Sequence, residues 1–352
     1  MAHASQKRAV KSQSKPLLHA VELTRLGPIP DISTLKILWA VDVFDPEPLL
    51  WRHQEDFLSS LIEMAQAARK EVKITPVHVL SPEQLELQLE FSKPWLDSYV
   101  PAAQKALDER MRKTRIPQNA MNEGKILVHT HASTRGSVQT LMSFAATESY
   151  DWIVVASHGR RGLQRALMGS FAEALMLRSR IPVLVVGAEA TPTAHERFKE
   201  ILFATDLSPE SHTALKKLLP AAKLLGSRIR LYHAVVRPME PVIQGGLLLA
   251  SGAWVGVPEF LKLEYDRRRS ELREWMESVQ AQGIPCTFDI EESVDALPHR
   301  IIEMAREHGA SMIAIAGQSG GFSAALLGSI ARDVVRHASC PVWVLHESHQ
   351  GT

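Results

Sequence analysis

Cysteine is scarce: two in 352 residues, Cys286 and Cys340, both in the second half. That is too few for a disulfide framework or a cysteine-built zinc site, and it points to a reducing, cytoplasmic setting. Aromatic residues make up only 6% of the chain, so aliphatic side chains must carry most of any core. No apolar run approaches the ~20 residues needed to cross a membrane, and the N-terminus lacks the apolar stretch of a signal peptide. Charge of one sign is missing as well. The 40 Lys and Arg stand against 39 Asp and Glu, which gives no reason to expect a nucleic-acid partner. The length suits two domains of ordinary size, each able to bury its own core.

What is present is ordered around residues 151–187, DWIVVASHGRRGLQRALMGSFAEALMLRSRIPVLVVG. An apolar run ending at Ala156 breaks into Ser157-His158-Gly159; a loop carrying Arg160, Arg161 and Arg165 leads to Gly169-Ser170. Phe171 then begins an apolar-periodic helix, and a second apolar run covers 183–186. Strand, glycine loop, helix and strand make a βαβ unit with a right-handed crossover. Its loop lies at the carboxyl end of a parallel strand, where open α/β sheets bind ligands. Gly159 and the Gly169-Ser170 pair can turn backbone N–H groups toward an anion, and the arginines add positive charge beside a phosphate.

The paragraph recurs about 160 residues later, at 311–347, SMIAIAGQSGGFSAALLGSIARDVVRHASCPVWVLHE. Gly320 stands for Gly159, Gly328-Ser329 for Gly169-Ser170, and Pro341-Val342 for Pro182-Val183. Upstream, Val41-Asp42 ends an apolar run that recurs as the run ending in Thr205-Asp206. A repeat this long is a duplicated domain rather than a solenoid, whose units span about 20–50 residues. In each half, uninterrupted apolar runs alternate with helical periods, which predicts a parallel sheet covered on both faces. Helices are expected at 49–70, 137–147, 260–280 and 298–307, and strands at 35–43, 72–80, 126–132, 228–235 and 286–291. Ser208-Pro209 reads as an N-cap followed by Pro at the first helical position. Residues 81–115 read as a helix interrupted at Pro94 and Pro101. Residues 1–34 read as an arm, either poorly ordered or a short packing strap.

The chain resembles a tandem universal stress protein over residues 35–347. The family's loop pattern is Gly, two residues, Gly, nine residues, Gly, then Ser or Thr. Here it reads Ala156, Gly159, Gly169, Ser170 in the first half and Gly317, Gly320, Gly328, Ser329 in the second. The first copy departs in its opening Ala; the second shortens the long gap to seven residues. The resemblance implies two Rossmann-like (adenine nucleotide α-hydrolase-like) domains, 35–188 and 198–348, each a five-stranded parallel sheet with helices on both faces. It implies an ATP site, with or without Mg, in which Val41, Asp42, Thr205 and Asp206 meet the adenosine. Val79 and Ala234, at the ends of the second strands, would offer main-chain bonds to adenine. A carboxylate can accept from an amine or ribose hydroxyl; equally, an Asp at this place can cap the following helix. His158 is either a phosphate neighbour or a loop histidine, and His78, His129 and His131 read as structural.

Neither loop is a Walker A, because no Lys precedes Ser170 or Ser329. The Ser-Gly-Gly run 319–321 is similar to the loop of ATP pyrophosphatases, but it follows the fourth strand rather than the first and lacks their Asp. With full length and three arginines, the first loop is expected to hold ATP more readily than the second. No general base or carboxylate cluster is evident, so the expected function is an ATP-binding stress-response regulator without efficient turnover. One alternative is a non-catalytic lipid- or protein-binding module with vestigial nucleotide sites, using the apolar segment 242–258. The other, an adenylyl-transferring enzyme, lacks the signature histidine pair. The family pairs through its last strand, which implies a homodimer or, in a duplicated chain, an internal pseudo-dimer.

Overall fold

The computed structural model describes residues 26, 28–30, 32–45, 48–82, 93–157, 169–187, 198–236, 247–248, 254–255, 257–293, 296–317 and 322–346. In the first half, strands β1 (Thr34–Ala40), β2 (Glu71–Leu80), β3 (Lys125–Val128), β4 (Trp152–Ala156) and β5 (Val183–Val186) alternate with helices α1 (Pro48–Ala67), α2 (Lys93–Lys113), α3 (Thr134–Thr147) and α4 (Ser170–Arg178). The second half repeats the plan. Strands β6 (Glu200–Ala204), β7 (Arg228–Val236), β10 (Cys286–Ser293), β11 (Met312–Gly317) and β12 (Val342–His346) alternate with α5 (Pro209–Leu225), α6 (Val257–Gln280), α7 (Leu297–Glu307) and α8 (Phe322–His337). A two-rung ribbon, β8 (Leu247–Leu248) with β9 (Trp254–Val255), precedes α6; the remainder of 242–253 lies outside the described residues.

All ten long strands form one sheet in the order β10-β7-β6-β11-β12-β5-β4-β1-β2-β3. Within each half the pairing is parallel. The halves join where β5 meets β12 antiparallel, with Val185, Leu184 and Val183 opposite Val342, Trp343 and Val344. Each half thus repeats the spatial order third, second, first, fourth, fifth. The order reverses between first and fourth strands, and this switch opens a crevice at the carboxyl ends.

Both faces of the sheet are buried, which is why the strands read as continuous apolar runs. On β1, Ile37 and Trp39 enter one core layer while Leu38 and Ala40 enter the other; on β6, Ile201 and Phe203 oppose Leu202 and Ala204. Trp152 and Trp343 meet edge to face across the seam, with centroids 4.5 Å apart. Arg332 of α8 pairs with Glu173 of α4 at 2.9 Å. The Ser208 N-cap is realised: its hydroxyl accepts from Ser211 N, and Pro209 opens α5. The expected break at Pro101 is not found, since α2 runs through it. Pro101 and Asp97 are exposed, so water can serve the carbonyl that the proline leaves without a donor. The third strand is also shorter than expected, ending at Val128. At the arm, Leu26 is buried; its N–H donates to Ser278 Oγ and its carbonyl accepts from Gln282, so this residue straps onto α6. No helix among the described residues is long and apolar enough to cross a membrane.

The seam also sets the ends of the fifth strands. Lys217 of α5 donates to the His346 carbonyl, and His53 of α1 approaches the Gly187 carbonyl at the equivalent place. The fully buried His346 ring crosses the seam, and its Nε2–H donates to the Met176 carbonyl near the end of α4. A helix leaves its last carbonyls without intrahelical donors, so the second half caps a helix of the first. The ring has room only because residue 317 is glycine: a Cβ there would lie 2.6 Å from the ring and 2.8 Å from Val344. Gly317→Ala is expected to cost about 1–3 kcal/mol in urea unfolding. In the His346→Ala background the same change should cost markedly less.

Burial, the leading influence, pulls the His346 pKa from 6.5 to about 4, and likewise that of His212, which packs on Trp275. The folded state therefore resists a proton that the unfolded chain accepts near pH 6.5. Stability from this source is complete above pH 6.5 and is lost as the pH falls toward 4, by about 3 kcal/mol for His346 at the limit. Thermal midpoints measured between pH 7 and 4.5 should fall, and His346→Gln should flatten that slope.

Candidate functional site

The site begins where β6 stops. Its last rung with β7 is Ala204 opposite Tyr232, followed by Thr205 N donating to Tyr232 O at 2.9 Å. A continuing sheet would next use the Thr205 carbonyl. Instead His233, on β7, donates Nδ1–H to that carbonyl at 2.8 Å. The chain then turns away through Leu207, whose φ of +61° lies in the left-handed region. Such a conformation costs a non-glycine residue on the order of 1 kcal/mol and persists only where the surroundings enforce it. Here Thr205 Oγ1 accepts from Leu207 N at 2.9 Å, and Asp206 Oδ1 accepts from Ser208 N at 3.0 Å and Ser211 Oγ at 2.6 Å. Ala234 stands two residues past the last rung, so its main chain faces the gap that β6 has left.

The first half repeats this device. Val41 N donates to Val77 O at 2.9 Å, His78 Nδ1 bonds the Val41 carbonyl at 3.0 Å, and Asp42 Oδ1 accepts from Phe44 N at 3.0 Å. Val79 stands two residues past the rung between Ala40 and Val77. A histidine at the same place in both halves thus occupies the strand-end carbonyl and holds the crevice open. His129, by contrast, approaches the Thr140 hydroxyl at 3.3 Å and lies beside His131. Among the described residues, no group of three or more His, Cys, Asp or Glu side chains could hold a metal ion.

In the second half the opening is a cleft of about 320 Å³. Thr205, Asp206 and Ala234 line it together. Its walls are apolar at Leu297, Ile301, Ile315 and Ile330, and His233, Glu264 and Arg268 add polar groups. Burial alone would raise the Asp206 pKa, but the bonds from Ser208 and Ser211 outweigh it and hold the carboxyl below its ordinary value. Burial lowers the pKa of His233, only partly offset by its bond to the Thr205 carbonyl, so the ring is a neutral donor. A small pocket with apolar walls and a few convergent acceptors and donors suits a planar, heteroatom-edged ligand.

The glycine motifs are placed only in part. His158, Gly159, Arg160 and Gly320 lie outside the described residues. Ala156 ends β4, and Gly169 is the N-cap of α4, with its N–H donated to Ser157 O at 2.6 Å and no side chain capping the helix. Ser170 is exposed and Phe171 half-buried on the first turn. Gly328 and Ser329 do not open a helix: α8 begins at Phe322 and carries them in its interior. Strand register also shifts one correspondence. Ile153 faces Val183 as Ile313 faces Val342, so Gly317 matches Ser157, where motif spacing had matched it with Ala156. His233, Glu264 and Arg268, which also line the cleft, were not among the residues expected there. One local signal marks His233: it directly precedes Ala234, as His78 directly precedes Val79.

Asp206 carries a structural duty beside any contact with a ligand. Asp206→Ala should cost about 1 kcal/mol, the usual value of such a cap, and Asp206→Asn less, both read from denaturant midpoints at neutral pH. Because the carboxyl is held below its ordinary pKa of 3.8, this contribution is present above pH 3.8 and lost only as the pH falls through the lowered value.

A model of the universal stress protein family matches the chain twice, over residues 52–187 and 197–346. The universal stress protein MJ0531 of Methanocaldococcus jannaschii is 30% identical over 150 residues, covering 42% of this chain and 82% of its own. The universal stress protein Sll1388 of Synechocystis is 24% identical over 158 residues, covering 42% of this chain and 97% of its own. Among solved structures, a universal stress protein from Archaeoglobus fulgidus superposes with a TM-score of 0.60 at 18% identity, over 90% of this chain and 97% of its own, a likeness of fold. With the repeated sheet order and two matches that together span most of its length, the chain belongs to the universal stress protein family.

Proposed function

We propose that this protein is a stress-response regulator that binds an adenine nucleotide at the carboxyl ends of its strands and acts through binding rather than turnover. The observation that carries the reading is the cleft where Thr205, Asp206 and Ala234 converge. Its residues fit a nucleoside. Asp206 uses Oδ1 for its cap, so Oδ2 is the acceptor for a ribose hydroxyl or an amine. The Ala234 main chain faces the same space, and the apolar walls suit a ring.

The phosphate tail is assigned more readily to the first half. There the first-turn amides of α4 follow a glycine N-cap that carries no capping side chain, and the helix dipole adds positive potential at that end. In the second half the glycine-serine pair is inside α8, where its amides are committed to the helix. ATP titrations should therefore separate the halves. Gly169→Asp places a carboxylate against the phosphates and should weaken binding at least about tenfold, whereas Gly328→Asp should leave the tighter site unchanged. Equal losses would refute the asymmetry, and native mass spectra of freshly purified protein with no retained nucleotide, together with flat titrations, would refute the reading itself.

A further inference from the structure

α6 is a helix inserted between β7 and β10, and its two ends do different work. Toward its C-terminus, Leu272, Trp275 and Val279 are buried in the core. Toward its N-terminus, Glu264 and Arg268, one turn apart, line the cleft with side chains 24% and 23% exposed. Arg268 Nε donates to Glu264 Oε1 at 2.7 Å, and Nη1 is 3.4 Å from Glu271 Oε2. Glu271 thus steadies the guanidinium, while Nη2 donates to none of the described residues. Glu264 Oε2 has only a distant partner, Arg267 at 3.6 Å. The rim therefore offers one carboxylate acceptor beside one guanidinium donor, next to Ala234 and Val235.

A ring that enters the apolar part of the cleft buries its polar edge, and an unmatched buried edge is costly. Adenine presents an exocyclic N–H donor beside a ring-nitrogen acceptor, the complement of an acceptor next to a donor. We propose that Glu264 and Arg268 read the nucleobase in the second-half crevice, Glu264 accepting from the exocyclic amine and Arg268 donating to the adjoining ring nitrogen. This rests on the reading of the crevice as a nucleotide site, and makes the pair the determinants of base specificity there. Asp206 and His233 share the space: the charges of Arg268, Asp206 and Glu264 all act on the His233 ring.

The described residues of the first half do not repeat the arrangement. Its inserted helix, α2, carries Arg110 near the crevice, but that guanidinium donates to the Asp45 carbonyl and lies 4.8 Å over the Trp51 ring. Four residues before it stands Ala106, not a carboxylate. Among the described residues, an acceptor–donor pair lining a cleft from an inserted helix is found in the second half only.

The test uses the full chain and three proteins: wild type, Glu264→Leu and Arg268→Met. Calorimetric titration with adenosine and with purine riboside, which lacks the amine, reads affinity. Hydrogen exchange of peptides covering 228–236 and 257–268 reads location. At the site where those peptides are protected, wild type should prefer adenosine about tenfold, the scale of one good base-edge contact. Glu264→Leu should erase that preference, and Arg268→Met should weaken adenosine about tenfold, with thermal midpoints near wild type in both. Adenosine binding with those peptides unprotected, or variants that keep the wild-type preference, would overturn the base-reading role while the nucleotide reading stands. No binding of adenosine or ATP to the wild type would overturn both.

Discussion

The antiparallel seam between β5 and β12 is the constraint on which the other features rest. A four-residue strand such as Val183–Val186, apolar on both faces, is a poor sheet edge: it presents unpaired backbone groups and invites association with other chains. Here the edge of each half is the partner of the other, and ten strands become one sheet with outer edges at β3 and β10. The seam also fixes orientation. Because the fifth strands run against each other, the halves are related by an approximate twofold, and their crevices open at opposite ends of the shared sheet. The Trp152–Trp343 contact and the Arg332–Glu173 pair follow from that geometry, since the fourth strand of one half is brought near the fifth of the other and the fourth helices meet.

Opening a crevice in such a sheet requires that the first strand let go of the second. The register shows how this is done. At the last rung in each half, an imidazole from the neighbouring strand takes the carbonyl that the next ladder bond would have used. The backbone polar group stays satisfied, as a buried one must be, yet the strands part and the main chain beyond, at Val79 and Ala234, faces the gap. In the second half the departing chain must also pass through a left-handed leucine. The Thr205 hydroxyl and Asp206 carboxylate that line the cleft are the groups that hold this turn. The groups that hold the turn thus also line the cleft, and the two readings of Asp206, as a cap and as a ligand contact, are compatible, because the cap uses Oδ1.

Much of this was legible in the sequence because buried parallel strands have little freedom in composition. The runs ending at Asp42, Ala156, Asp206 and Gly317 can hardly be anything else, and the repeat assigned their order. Caps were legible for a similar reason, since Ser208-Pro209 has few other uses. The failures lie where local rules meet solvent or long-range packing. Pro101 reads as a break, but an exposed helix gives its orphan carbonyl to water. Glu264 and Arg268 sit in a helix dense with charge (EYDRRRSELRE), where nothing local separates a residue aimed into a cleft from one paired on the surface. Gly328-Ser329 reads as a loop end by analogy with Gly169-Ser170, yet the shortened segment before it has good helix formers, Ala324 to Leu327, and the helix starts earlier.

The divergence between halves has a packing logic that also bears on function. By strand register, Ser157 and Gly187 in the first half stand where Gly317 and His346 stand in the second. Each pair contains one glycine, and the glycines are on opposite strands. In the second half the imidazole takes the volume that a side chain at 317 would need, and it uses that position to cap α4 through Met176. In the first half the glycine at 187 leaves the matching carbonyl, Val335 O, 4.0 Å from where its Cβ would be, with no ring to reach it. A glycine at the end of β11 is thus accounted for by packing, without any demand from a phosphate. It follows that a glycine-counting motif overstates the likeness of the two sites. Only in the first half does a described glycine, Gly169, stand at the head of a helix that bears on a strand end, and that helix is the one the second half clamps from behind.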